Sequence, residues 1–432
     1  MDHRLKELEN AGRLELGAGD RIILESARIY RGTLALKVGV AGSADRPIEV
    51  TADGPDPAII EAGSGAAIVL DGVRHARISR MVLRGAGRND GNVATGLDAR
   101  GCIGLTIEDV EAEGFQKSGI GVTGSDEVRI YRCFAHDNGF AGIWVGGNES
   151  PDRYNRNLHV AECRADNNPG DPTDLRNHSG NGILVGCVRD ALVERCEASA
   201  NGWDMPRGGN GPVGIWGWCA DRLTIQDCVS HHNRTSALGG DGGGFDFDGG
   251  VTNSILQRCL SWANAGPGYE LYQYDTAPAW ENNILRDCVS VNDGAHKGKG
   301  CVLLGAWENR TPMRGIIIEH NVFINEVGPA LDLWGGIPGA FTHNVVVGTR
   351  GLLKGTLEGL RVADNCAWNP STRSADPGGP AWGLVADPRL ALPVSWDELP
   401  IHWDALKDLP WFRPLADSPC RAAGIGLTRL PE

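Results

Sequence analysis

The chain has 432 residues, with 41 Lys and Arg against 55 Asp and Glu and a formal net charge of −14 at pH 7. That balance argues against a protein that tracks nucleic-acid phosphates or grips polyanions by charge alone. No run of 18 or more apolar residues occurs, so neither a membrane-spanning helix nor a membrane partner is expected.

The opening MDHRLKELENAG reads as a charged amphipathic helix and not as a signal peptide. The chain as written is therefore expected in the cytoplasm, or in the periplasm or outside the cell if a leader has been removed. Residues 1–16 are expected to form a capping helix, because the open end of a strand stack exposes apolar interior and unpaired edge. From residue 17 onward, GDRIILESARIYRGTLALKVGVAGSADRPIEVTADG alternates apolar and polar residues and turns at 42–47, as the first coils of such a stack should.

Between Met81 and Asn365 one tetrapeptide recurs: apolar, any, polar, Cys. Cys133, Cys163, Cys196, Cys228, Cys259 and Cys288 lie 30, 33, 32, 31 and 29 residues apart, in IYRC, VAEC, VERC, IQDC, LQRC and LRDC. Asn takes the Cys place at Asn321, Asn344 and Asn365. Five residues after each of the first five cysteines comes an Asn: Asn138, Asn168, Asn201, Asn233 and Asn264. Soon afterwards a Gly opens a second alternating strand. Such a repeat is too short for a βαβ unit and long enough for one turn of a strand solenoid. The predicted architecture is all-β: one solenoid of about a dozen coils over 17–368, with a Pro- and Trp-rich, non-repeating cap over 369–432. Insertions at 147–157, 169–181, 203–212, 273–282 and 305–314 should form walls along one flank. The chain has 12 cysteines, but six share one coil position and none forms a CxxC pair, so these six are expected as buried free thiols.

With its short strands at coil spacing, its Asn at a fixed turn position and the ending FRPLADSPCRAAG, the chain resembles the right-handed parallel β-helix proteins over roughly residues 17–425. This pectate-lyase-like superfamily includes pectate lyases, polygalacturonases, alginate epimerases, phage tailspikes and several glycosidases. The resemblance implies the fold; it leaves the chemistry open, because this fold hosts many. It also implies a monomer or a homo-oligomer.

Stacking the second strands on their leading Gly sets a register: GLDAR (96–100), GIGVT (119–123), GIWVG (142–146), GILVG (182–186), GIWGW (214–218), GFDFD (244–248), GYELY (268–272), GCVLL (300–304) and ALDLW (330–334). Alternation sends residues such as Ile143, Ile215, Phe245, Tyr269, Cys301, Leu303 and Leu331 inward. Outward go Trp144, Trp216, Asp246, Glu270 and Asp332, with Trp218, Asp248, Tyr272 and Trp334 two residues on. On coils ~4.8 Å apart, Asp246 and Glu270 stand side by side and Asp248 lies diagonal to Glu270 at roughly 7 Å. Aromatic rings beside clustered carboxylates suit a sugar, whose C–H faces stack while its hydroxyls meet the acids.

The reading that follows is a glycoside hydrolase acting on an oligo- or polysaccharide. Asp246 is expected as nucleophile, Glu270 as acid/base and Asp248 as a steering carboxylate, in a retaining mechanism. An Asp and a Glu on successive coils also resemble the arrangement in retaining β-helical glycosidases such as β-xylosidases. Substrate contacts are expected from Trp144, Trp216, Trp218, Tyr272, Asp241, His296, Lys297, Trp307, Asp332 and Trp334. No cofactor is required. A polysaccharide lyase is the second reading, with Ca²⁺ on Asp241, Asp246, Asp248 and Glu270 and with Lys297, Lys299 or Tyr272 as base. A non-catalytic sugar-binding solenoid is the third.

Overall fold

The structure is a computed structural model that describes residues 1–307, 312–375 and 382–428. The chain divides into two compact units: Met1–Leu192 with Ser199–Pro212 and Thr235–Gly239, and Val193–Ala198 with Val213–Arg234 and Gly240–Glu432. Each is a pile of short parallel strands, coil on coil. In the first unit, for example, Ser118–Thr123 pairs in parallel with Leu97–Arg100 on one side and Ala141–Gly146 on the other. In the second, Gly243–Phe247 stands between Val213–Gln226 and Tyr269–Gln273. Among the described residues the one α-helix is Pro419–Ala423, and no helix is long and apolar enough to cross a membrane.

The recurrent tetrapeptide has a backbone cause. Its polar third residue is left-handed in every repeat, with φ between 49° and 58° at Arg132, Glu162, Arg195, Asp227, Arg258, Asp287, His320, His343 and Asp364. A single left-handed residue bends the strand so that the next side chain, Cys or Asn, swings into the core. The six cysteines are at most 2% exposed, and all twelve in the chain are free and buried. A second left-handed corner precedes the Asn of each repeat, at Asp137, Asn167, Ala200, His232 and Ala263, and another precedes Asp293, at Asn292. The Asn side chains then bond coil to coil: Asn138 Nδ2 donates to Asn168 Oδ1 (3.1 Å), Asn168 to Asn201 (2.8 Å) and, in the second unit, Asn233 to Asn264 (2.9 Å). There the ladder ends on an acid, Asp293 (2.9 Å), whose carboxyl burial pushes up to about 7 against the hydrogen bonds it accepts.

Three features differ from the sequence expectations. Residues 1–16 are not an α-helix: Asp2–Arg4 is a strand paired with Arg21–Leu24, followed by a 3₁₀ helix over Leu8–Arg13 that buries Leu8 and Ala11. The edge is thus covered partly by one more strand. At 300–304 the register is one residue off, because Tyr269 pairs with Val302, Glu270 with Leu303 and Leu271 with Leu304. Val302 and Leu304 therefore take the inner column, not Cys301 and Leu303. Every side chain in CVLL is apolar, so alternation offered nothing to fix the slip. Finally, coil stacking continues to Gly383–Val385, which pairs with Asn365–Trp368. The segment 387–428 then runs along the second unit, laying Leu390, Leu399, Leu406, Leu409, Phe412, Cys420 and Ile425 on a stripe of Val229, Leu260, Val289, Val322, Val345 and Cys366.

Candidate functional site

The second unit carries the acidic face. Its strands hold Trp216, Asp246 and Glu270 directly opposite one another on successive coils, continued by Leu303, Asp332 and Lys354. Two residues along come Trp218, Asp248, Tyr272, Gly305 and Trp334. Gly305 is required there: a Cβ would lie 2.6 Å from the Trp334 ring. Across that glycine Trp334 meets Tyr272 edge-on, ring centroids 5.7 Å apart.

These outward residues are far less exposed than an outer face implies. Asp246 is 5% exposed, Glu270 4%, Asp332 4% and Trp216 4%, while Asp248, Trp218 and Tyr272 are half-buried. Trp216 is therefore not an exposed platform, since it packs into the floor. The accessible rings are Trp334, 45% exposed, and Trp307, 58%. Trp307 sits where the insertion begins and donates its backbone N–H to Gln273 O (2.8 Å); residues 308–311 of that insertion lie outside the described residues. Trp144 belongs to the first unit, edge-on to Phe140 at 5.7 Å.

A lysine enters the cluster. Lys299 Nζ donates to Asp241 Oδ1 (3.0 Å) and stands 3.8 Å from Glu270 Oε1. Burial disfavours its charge, but Glu270 and Asp241 outweigh burial and hold it above the ordinary lysine range. The sequence offers His296 and Lys297 as substrate contacts and Lys299 only as a candidate base. His296 is half-buried with its backbone N–H on Ala265 O (2.8 Å), and Lys297 is exposed in a left-handed turn. That turn directs the second following residue, Lys299, onto the acids. Asp332 has its own partner, Lys354 Nζ at 2.8 Å. The acid oxygens are hard-cation donors of the kind Ca²⁺ takes, and the Lys299 ammonium already stands against two of the four acids. In the first unit, Glu111, Glu113 and His136 bring one ligand atom each within 4.8 Å of one another. His136 has its Nδ1 2.6 Å from Asp137 Oδ2.

The carboxyls are held in an unfavourable setting. Asp246 Oδ1, Asp248 Oδ1 and Glu270 Oε2 are buried and accept no hydrogen bond. Burial pushes Asp246 well above the usual carboxylate range, helped by Asp248, Glu270 and Asp241. Burial raises Asp248 to about 7 although the Gly249 backbone N–H pulls it down. Burial and Asp241 raise Glu270 to about 8, with Lys299 pulling the other way. Burial also pushes up the Tyr272 phenol, which stays neutral. Replacing Lys299 by Met should therefore move the Glu270 titration to higher pH by about one unit. Direct carboxyl titration by infrared spectroscopy checks this, and Lys299→Arg should restore the parent value.

The family model for the right-handed β-helix region matches residues 173–346. The chain has the right-handed parallel β-helix fold. No curated protein matches the chain. Among solved structures, a GH136 lacto-N-biosidase from Eubacterium ramulus is 17% identical with a TM-score of 0.56, over 84% of this chain and 64% of that one. The PL6 family alginate lyase AlyGC is 13% identical with a TM-score of 0.63, over 100% of this chain and 57% of that one. A mannuronic acid specific polysaccharide family 6 lyase from human gut microbiota is 13% identical with a TM-score of 0.52, over 85% and 86%. The β-helix described here thus spans less than two thirds of the first two neighbours, and at these identities the likeness is one of fold.

Proposed function

We propose that this β-helix is a carbohydrate-active enzyme that hydrolyses glycosidic bonds, with Glu270 as proton donor and Asp248 as the carboxylate that activates water. The observation that carries this is a pair of carboxyls on one face, Asp248 and Glu270, each with a buried oxygen that has no partner and each pushed up by burial, to about 7 and about 8. Two neighbouring acids raised in this way share a proton near neutral pH, one protonated while the other is ionised, which is the pairing hydrolysis needs. The two lie diagonally across adjacent strands, a separation of roughly 7 Å, and carboxyls about 6.5–9.5 Å apart admit a water and invert the anomeric centre. Tyr272 and Trp334 supply the ring surface for a pyranose. The fold neighbours named as a lacto-N-biosidase and alginate lyases support a sugar substrate.

A second assignment rests on the direct pairing of Asp246 with Glu270, whose closer spacing would suit a retaining double displacement with Asp246 as nucleophile. Burial and three acid neighbours oppose the ionisation that role requires. The lyase alternative needs a base at working pH. Lys299 is held as ammonium and the Tyr272 phenol is pushed up, so neither is poised to take a proton.

Hydrolysis of an oligosaccharide panel should give a bell-shaped pH profile with limbs near 7 and 8. NMR of the first-formed product should show inverted configuration. Retained configuration, together with rescue of Glu270→Ala by azide, would transfer the partner role to Asp246. An unsaturated, ultraviolet-absorbing product would overturn hydrolysis altogether.

A further inference from the structure

The charge of the site restricts which sugar can enter it. Five carboxyl groups, Asp241, Asp246, Asp248, Glu270 and Asp332, gather on this face, and the two ammonium groups among them are engaged by protein acids. Lys299 is taken by Asp241 at 3.0 Å and stands by Glu270 at 3.8 Å, and Lys354 is taken by Asp332 at 2.8 Å. A sugar carboxylate arriving here would find, among the described residues, no cation that is not already held by a protein acid, and carboxyl groups whose burial already opposes further negative charge. The unmet demand is of the opposite kind. Asp246 and Glu270, at 5% and 4% exposure, each bury an oxygen that accepts no hydrogen bond, as does half-buried Asp248. What such oxygens lack is a hydrogen-bond donor, and a sugar hydroxyl is one. The same hydroxyls can accept from whichever of these acids is protonated, and the neutral Tyr272 phenol adds one more donor.

Resting on the hydrolase reading above, we infer that the ring bound over Tyr272 and Trp334 is an uncharged, hydroxyl-rich sugar and not a uronate. Hydroxyl donors would satisfy the buried acceptors, whereas a uronate would either displace Lys299 or Lys354 from its acid or be buried among carboxyls with no cation of its own. Burying an unpaired charge in this way discriminates by at least about 100-fold.

The test uses the full chain carrying Glu270→Gln, which slows turnover and stands in for the protonated acid. Calorimetric titration at pH 7 compares matched oligosaccharides of neutral hexoses, pentoses and N-acetylhexosamines with oligomers of mannuronate, guluronate and galacturonate. Neutral oligomers should bind, with the uronic series at least about 100-fold weaker. Comparable or tighter uronate binding, or no binding by any neutral oligomer, overturns the inference. Asp332→Asn provides a charge-specific readout: it releases the Lys354 ammonium, which should raise uronate affinity about 10-fold relative to neutral affinity. No gain there would mean that shape and not charge excludes the uronate, against the inference. If neutral oligomers bind but the parent protein cleaves none of them, the sugar class stands and the hydrolase reading falls.

Discussion

Glu270→Gln should lower turnover about 10²- to 10⁴-fold, the usual share of a general acid, and should at the same time make the protein more stable above pH 5. The two effects have one origin. Glu270 is buried, with one oxygen lacking a partner and other carboxyls around it, and titrates at about 8 against an ordinary value of 4.5. Between those values the folded state keeps a proton that the unfolded chain has lost, so stability falls as pH rises across that window. Below pH 4.5 both states are protonated and the penalty is absent; above about 8 it is fully present, on the order of a few kcal/mol. Gln cannot ionise and escapes it. Thermal unfolding measured at pH 4 and pH 8.5 should show little gain for the variant at the lower pH and a gain of several degrees at the higher. A variant equally inactive but less stable at both would show that Glu270 is a structural residue.

Cys259→Asp should be the most damaging single change in the second unit. Cys259 is 1% exposed, with its thiol directed at the carbonyls of Gln257 (3.3 Å) and Ile225 (3.9 Å). A thiol tolerates acceptors on every side, but a carboxylate there would meet oxygen lone pairs, with the weakly donating thiols of Cys228 and Cys288 beside it. An unpaired buried charge destabilises by several kcal/mol, at least about 4. Cys259→Ala, which loses only a small apolar group, should cost about 1 kcal/mol. Chemical denaturation of both variants checks the ratio, and comparable losses would mean that the carboxylate reaches water.

What could be read from the sequence divides along physical lines. The cysteine and asparagine positions were legible because they recur in every coil and point inward, where a packed interior leaves few substitutes. The placement of Asp246 opposite Glu270 followed from strands that alternate cleanly, GFDFD and GYELY. The next coil, GCVLL, is apolar on both faces and slipped by one residue. The sequence names Lys299 only as one of three candidate bases and not as the partner of Asp241 and Glu270, because it lies in a turn, and which side chain of a turn folds back depends on corners such as the left-handed Lys297. The burial of Trp216 and the acids was also hidden, since alternation tells in from out but not what a loop later covers. The outward stripe of Val229, Leu260, Val289 and Val322 could have been found: CVSH, CLSW, CVSV and NVFI are apolar on a face that a free-standing coil would leave polar, which signals a cover.

That stripe gives synthesis an order and a waiting time. Each coil can settle as soon as its predecessor exists, a matter of local contacts. The contacts that cover the stripe are of another kind: Trp262 donates to Pro400 O across 138 positions, Thr428 bonds Asp287 across 141, and His402 reaches Glu197 across 205. None can form until 387–428 has left the ribosome. At about 5–20 residues per second, coils already stacked wait some seconds with a row of Val, Leu and Ile facing water. During that interval the nascent chain is at its most adhesive, and a second copy presenting the same bare row is the natural competitor for it.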